Sequence, residues 1–336
     1  MAHNRNQRQE TKETRENNVR IEKYQQPHGH PYLPFLFYLE HQGKLPSHEE
    51  LEKKLGSHPS EADILDVYKQ VLSPEDLADL EDSVYLSNSS GNCYGLVKEE
   101  AVNALTKENF GKFPIDNKKR FRKAIKYQQQ YYQNVEKSIK ESNKEKFSNL
   151  DFNQPMEGDD LKRFKREIEE LRQPIEDRII HDLKESEHHS LETETGKKLI
   201  VKTSQYKRPS FFSNLLHAGA LGNPTAFEKI KKQLSDCANN NMGSDVCAVI
   251  NILTYEYKPN WYDSETRQAS HSTLFFRKQR KSNPTQSKCL YMEPNGFRVR
   301  GDCDEVLKRA LGDIKHRYID DQHLQMLAVR QSTYTP

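Results

Sequence analysis

Three short stretches hold residues that could do covalent chemistry together. The first is Gly91-Asn92-Cys93-Tyr94-Gly95-Leu96. A small-residue, turn-rich loop over 83–93 leads into Leu96, Val97, Val102 and Leu105 at helical spacing, which puts the thiol at a loop-to-helix junction. The positive end of a helix favours a thiolate, and its unbonded amides can hold an oxyanion. A buried structural cysteine fits the composition equally well. The second stretch is His271 at the head of the strand-like run Ser272-Thr273-Leu274-Phe275-Phe276. An imidazole there can activate a thiol as an ion pair; among 13 histidines, an ordinary surface ring is the competing reading. The third is Tyr291-Met292-Glu293-Pro294-Asn295-Gly296-Phe297, a strand that runs into a turn. A carboxylate at a strand end can orient an imidazole through its far N–H, although Pro-Asn-Gly is turn chemistry in any case.

Other elements have to position these residues. Residues 1–24 are rich in Arg, Asn, Gln and Glu, and read as a disordered tail. The aromatic run 32–39 opens an N-terminal helical subdomain over 25–82, with N-cap signatures at Ser47 and at Ser73-Pro74-Glu75-Asp76. Residues 117–190 are the most charged stretch. Phe121, Ile125, Tyr132, Val135 and Ile139, and then Leu161 through Leu183, recur at three- and four-residue steps around the breaker 153–158. That pattern predicts a long antiparallel helical hairpin with a narrow, coiled-coil-like seam, with Pro174 kinking its second arm. A helix over 225–238 precedes strands at 246–257, 272–276, 290–292 and 297–299, and a helix at 304–311 follows. Helices first and antiparallel strands afterwards give an α+β fold, with 316–336 as a polar C-terminal tail.

Composition excludes several classes. The chain has 336 residues, 34% of them hydrophobic and 30% charged, so its core must be fed by part of the sequence. A net charge of +2 gives no basis for a nucleic-acid binder or an anionic-membrane binder. No apolar run reaches the ~18 residues of a membrane span, and Met1 to Lys23 lacks the apolar stretch of a secretory signal peptide. Five cysteines without a CxxC pair suggest free thiols in a reducing compartment; Cys237, Cys247, Cys289 and Cys303 are expected to be buried singly. His28 and His30 lack further ligands at metal-site spacing, so no metal and no cofactor is expected.

The order of the motifs (cysteine on a helix start, histidine on a strand, acid-Pro-Asn-x-Gly-like turn, closing helix) resembles the YopT-type effector cysteine peptidases, papain-like enzymes that bacteria inject into host cells. The resemblance covers 83–112 and 209–314. It implies a papain-like core formed by 83–116 and 200–315, with 117–199 as an inserted hairpin. It makes Cys93 the nucleophile, His271 the general base and Glu293 the orienting acid. That family usually carries aspartate in the turn, so Glu293 is a departure, and Asn295 is a second candidate for orienting the ring. Asn88 and then Asn92 are the oxyanion donors of choice, beside the backbone N–H of Cys93; Trp261 is a candidate for lining the cleft. Cys93 and His271 stand 178 residues apart, a longer interval than the family leads one to expect. The implied activity is acyl transfer by a cysteine protease on a host protein, delivered to the host cytoplasm without a Sec signal. The same triad serves a transglutaminase, a deamidase or a deubiquitinase-like enzyme. The contrasting reading is a non-enzymatic protein whose hairpin 117–190 docks a partner.

Overall fold

The computed structural model describes residues 12–16, 19–23, 39, 42–46, 48–56, 60–77, 93–106, 117–146, 178, 180–207, 226–257, 267–280, 283–294, 296–319 and 324–336. The strands are β1 (Lys12–Glu16), β2 (Val19–Lys23), β3 (Ile200–Lys207), β4 (Val246–Tyr257), β5 (Arg267–Arg280), β6 (Asn283–Glu293), β7 (Phe297–Gly301) and β8 (Leu324–Thr335). The helices are α1 (His48–Leu55), α2 (Glu61–Val71), α3 (Cys93–Thr106), α4 (Lys118–Lys146), α5 (180–195), α6 (Ala226–Ala238) and α7 (Cys303–Ile314). A π-helical turn, Lys315–Ile319, extends α7. The described strands form one antiparallel sheet in the order β1-β2-β7-β6-β5-β4-β8-β3.

Successive side chains of a strand point to opposite faces, and here both faces are covered. On one face, Ala248, Ile250, Ile252, Leu274 and Phe276 share a cluster with Val97 and Ala101 of α3 and with Phe121 and Ala124 of α4. On the other, Cys247, Val249, Leu253 and Phe275 join Ile230 and Leu234 of α6 and Val306 and Ala310 of α7. Burial on two faces explains why β4 reads as a continuous apolar run rather than an alternation. The apolar positions of α6 and α7 recur every three or four residues, which turns one stripe of each helix towards the sheet.

The α+β class and the antiparallel sheet are as expected, and β4 spans the predicted 246–257. Both termini need correction. Residues 12–16 and 19–23 are strands rather than disordered tail: Val19 and Ile21 are buried in the core, and β2 pairs with β7. Glu22, which made the segment look solvated, is itself buried against Arg298. The C-terminal stretch is no tail either. β8 lies between β4 and β3, with Arg330, Gln331, Ser332, Thr333, Tyr334 and Thr335 all buried. The expectation of free thiols is overturned as well. Cys237 is bonded to Cys247 and Cys289 to Cys303, tying α6 to β4 and β6 to the start of α7. Each pair joins elements close in the chain, 10 and 14 residues apart, a spacing that by itself carries no sign of the pairing. α2 went unanticipated, although Ser60 and Asp63 form a capping box at its start; β3 was also missed.

The predicted division at 117 falls between two helices that share one core. A Cβ on Gly95 of α3 would stand 2.0 Å from the Ala124 carbonyl oxygen of α4, so the two backbones approach as closely as glycine allows. The seam over 147–177, with Pro174, and the aromatic run 32–38 lie outside the described residues. Among the described residues, no helix is long and apolar enough to cross a membrane.

Candidate active site

Cys93 is the first residue of α3, is partly exposed and takes no part in either disulfide. The N–H groups of a helix's first turn have no partner within the helix. Cys93 therefore sits at the positive end of α3. Several contacts fix α3 in place. Gly95 seats it against α4, and Lys98 Nζ donates to Ser190 Oγ on α5 at 2.6 Å. Two buried acids follow. Arg120 of α4 pairs with Glu99, and its Nη2 also donates to Glu100 Oε2 at 2.9 Å. Arg298 of β7 donates to Glu100 Oε1 at 3.2 Å and to Glu22 Oε2 at 2.6 Å. Charges this deeply buried are tolerable because each is paired and hydrogen-bonded; removing one partner from such a pair costs about 3–5 kcal/mol.

His271 lies on β5 just past the point where β6 stops pairing with it, at Leu274–Met292. Continuing that register sets Glu293 opposite Thr273, so His271 is its diagonal neighbour on the same face of the sheet. His271 Nδ1 is 3.1 Å from Cys93 Sγ, and Nε2 is 2.5 Å from Glu293 Oε1. A carboxylate only accepts, so the Nε2–H donates to it and the ring faces the sulfur through Nδ1. Both partners are buried, His271 at 3% exposure and Glu293 at 0%. Burial works against a charged ring. The Cys93 sulfur and the Glu293 carboxylate outweigh it and push His271 up to about 10. Behind the carboxylate, Arg317 Nη2 stands 3.9 Å from Glu293 Oε2 while its Nε donates to Asp313 Oδ1 at 2.7 Å. Tyr291 Oη donates to Asp313 Oδ2, also at 2.7 Å.

A small cleft beside Cys93 is lined by Tyr94, Gln128, Tyr131, Tyr132, Ile252, Ser270 and Ser272. The Tyr94 and Tyr131 rings meet at 4.3 Å between centroids. Sequence reasoning named none of these seven as lining residues. One signal was present for Gln128: the steps Phe121, Ile125, Tyr132, Val135 skip a position at 128, and the residue there is polar. A polar residue inside an apolar seam is a flag for a specific contact. Of the predicted site residues, the structure brings Cys93, His271 and Glu293 together. Asn88, Asn92, Asn295 and Trp261 lie outside the described residues.

No protein-family model matches the chain, and no curated protein sequence matches it. Among solved structures, the crystal structure of the Pseudomonas avirulence protein AvrPphB is similar, at 10% identity, covering 74% of this chain and 94% of that chain with a TM-score of 0.34. A likeness of that size decides neither family nor activity.

Proposed function

We propose that this protein is a thiol-dependent acyl-transfer enzyme, a cysteine peptidase of papain-like construction acting on a protein substrate through Cys93, His271 and Glu293. One observation carries the reading: a buried imidazole is held between a helix-start sulfur at 3.1 Å and a buried carboxylate at 2.5 Å. A cysteine kept only for packing needs neither the ring nor the carboxylate. The Cys93 thiolate attacks the substrate carbonyl carbon; an S–C bond forms and the C=O π pair moves to oxygen. The pair then returns, the C–N bond breaks, and the amine leaves with the proton from His271 Nδ1. Water, giving a proton to His271, attacks the thioester; the acid departs and the S–C bond breaks. Glu293 holds the ring and its charge throughout. The backbone N–H of Cys93 and the loop before it, with Asn88 as first choice, stabilise the oxyanion. Following the motif resemblance, the substrate is a host-cell protein reached by a delivered effector.

The test is alkylation by chloroacetamide at pH 5.5. Because the other four cysteines are paired, selectivity for Cys93 decides nothing; dependence on His271 does. An ordinary thiol, with a pKa of ~8.5, is almost wholly protonated at that pH. The wild type is expected to react ~10–100-fold faster than His271→Ala, a margin that allows for the lower intrinsic nucleophilicity of a stabilised thiolate. Equal rates would remove the ion pair, and with it the enzyme reading.

A further inference from the structure

We infer that the side-chain amide of Gln128, on α4, is an oxyanion donor of this site; the inference rests on the acyl-transfer reading above. Gln128 is 5% exposed, and its Oε1 accepts the Gly95 N–H at 2.8 Å. That bond settles which way the amide points, because only the oxygen can accept an N–H. The NH₂ end is the one left over, and among the described residues the side chain makes no other hydrogen bond. Gln128 lines the same cleft as the Cys93 sulfur. Its amide nitrogen thus carries two donors on a side chain that shares the cleft with the nucleophile.

The placement follows from the packing. Gly95 lets the α4 backbone pass over the first turn of α3, since any Cβ there would meet the Ala124 carbonyl. One turn further along α4, Gln128 reaches the open end of α3. The Gly95 N–H is one of the four that a helix leaves unbonded, and Gln128 satisfies it with one end of its amide while offering the other. During attack, the Cys93 sulfur bonds to the carbonyl carbon and the π pair becomes an oxyanion. A rigid neutral donor aimed there stabilises the charge without reorganising. On collapse the pair re-forms C=O, the leaving group departs, and Gln128 is unchanged.

Alkylation and acylation separate this role from a structural one. Alkylation of Cys93 by iodoacetamide forms no oxyanion, whereas acylation by p-nitrophenyl acetate does. Gln128→Glu keeps the length and the acceptor for Gly95 but loses both donors. Gln128→Met keeps the bulk and loses donor and acceptor. Thermal unfolding and far-UV circular dichroism identify which variant is natively folded, and the two rates are compared on that one. Acylation is expected to fall ~10²-fold or more, while the high-pH plateau rate of alkylation stays within about threefold of wild type. Wild-type acylation in a folded variant overturns the assignment. So does an equal fall in both rates, which makes Gln128 a packing residue. A wild-type protein that is alkylated at Cys93 but never acylated by the ester overturns the acyl-transfer reading itself, and the oxyanion role with it.

Discussion

His271 carries the sharpest consequence at the scale of single residues. Its folded value of about 10 lies above the ordinary 6.5, so the ring stays an imidazolium through neutral pH. The sign follows from linkage: the stability that His271 contributes is complete below pH 6.5 and is lost as pH rises through about 10. Histidine-ring NMR is expected to show His271 charged at pH 8 and titrating near 10; a midpoint near 6.5 would contradict the pairing. Cys93, His271 and Glu293, which meet in the structure, were legible through the order of their motifs and the resemblance that order carries; a loop meeting a helix, an aromatic strand-like run and an acid before a turn each have a plainer reading alone. Gln128 showed only as a polar break in an apolar seam, which does not tell that α4 crosses the mouth of α3. Glu293 is one methylene longer than the aspartate usual in the family that the motifs resemble. In the structure Glu293 is the last residue of β6 and reaches Nε2 directly.

At the scale of elements, the contact between α3 and α4 is the joint on which the site turns. Gly95→Ala places a methyl 2.0 Å from the Ala124 carbonyl oxygen, an overlap that only separation of the helices relieves. Overpacking of this kind destabilises by about 1–3 kcal/mol, read as a lower urea midpoint with an unchanged slope. An unchanged midpoint would mean that the two helices part freely. β4 was easy to read because burial on both faces leaves a run of apolar residues. β1 and β2 were hidden by their charge: Arg20 and Glu22 look like solvated tail, yet Glu22 is 7% exposed because Arg298 and Arg300 reach it. Composition marks a charged residue as surface unless its partner is known, and here the partner lies 276 residues away. β8 was missed for a related reason, since Arg330, Gln331 and Ser332 become interior only once β4 and β3 stand on either side and Glu187 pairs with Arg330.

For the whole molecule, two disulfides and a buried ion network take up what a modest apolar content leaves undone. Each disulfide closes a short loop, of 10 and 14 residues, for which about 2–3 kcal/mol apiece is the expected contribution. Adding a phosphine reductant should therefore lower Tm by roughly 10 °C. Because Cys93 belongs to neither bond, its alkylation rate below the new Tm should stay as it was; a rate that collapses on reduction would show that the bonds shape the site itself. The long reach of the Cys93–His271 contact and of the ion network also governs when the site can assemble during synthesis. Cys93 emerges from the ribosome 178 residues before His271, a wait of roughly ten to forty seconds at ~5–20 residues per second. Glu100 waits longer for Arg298, and β3 has no neighbour among the described strands until β8 has been made. Throughout that interval the Cys93 sulfur has been made but the ring that it meets has not. A nascent chain of this design thus cannot bring Cys93, His271 and Glu293 together until most of the sheet has been translated.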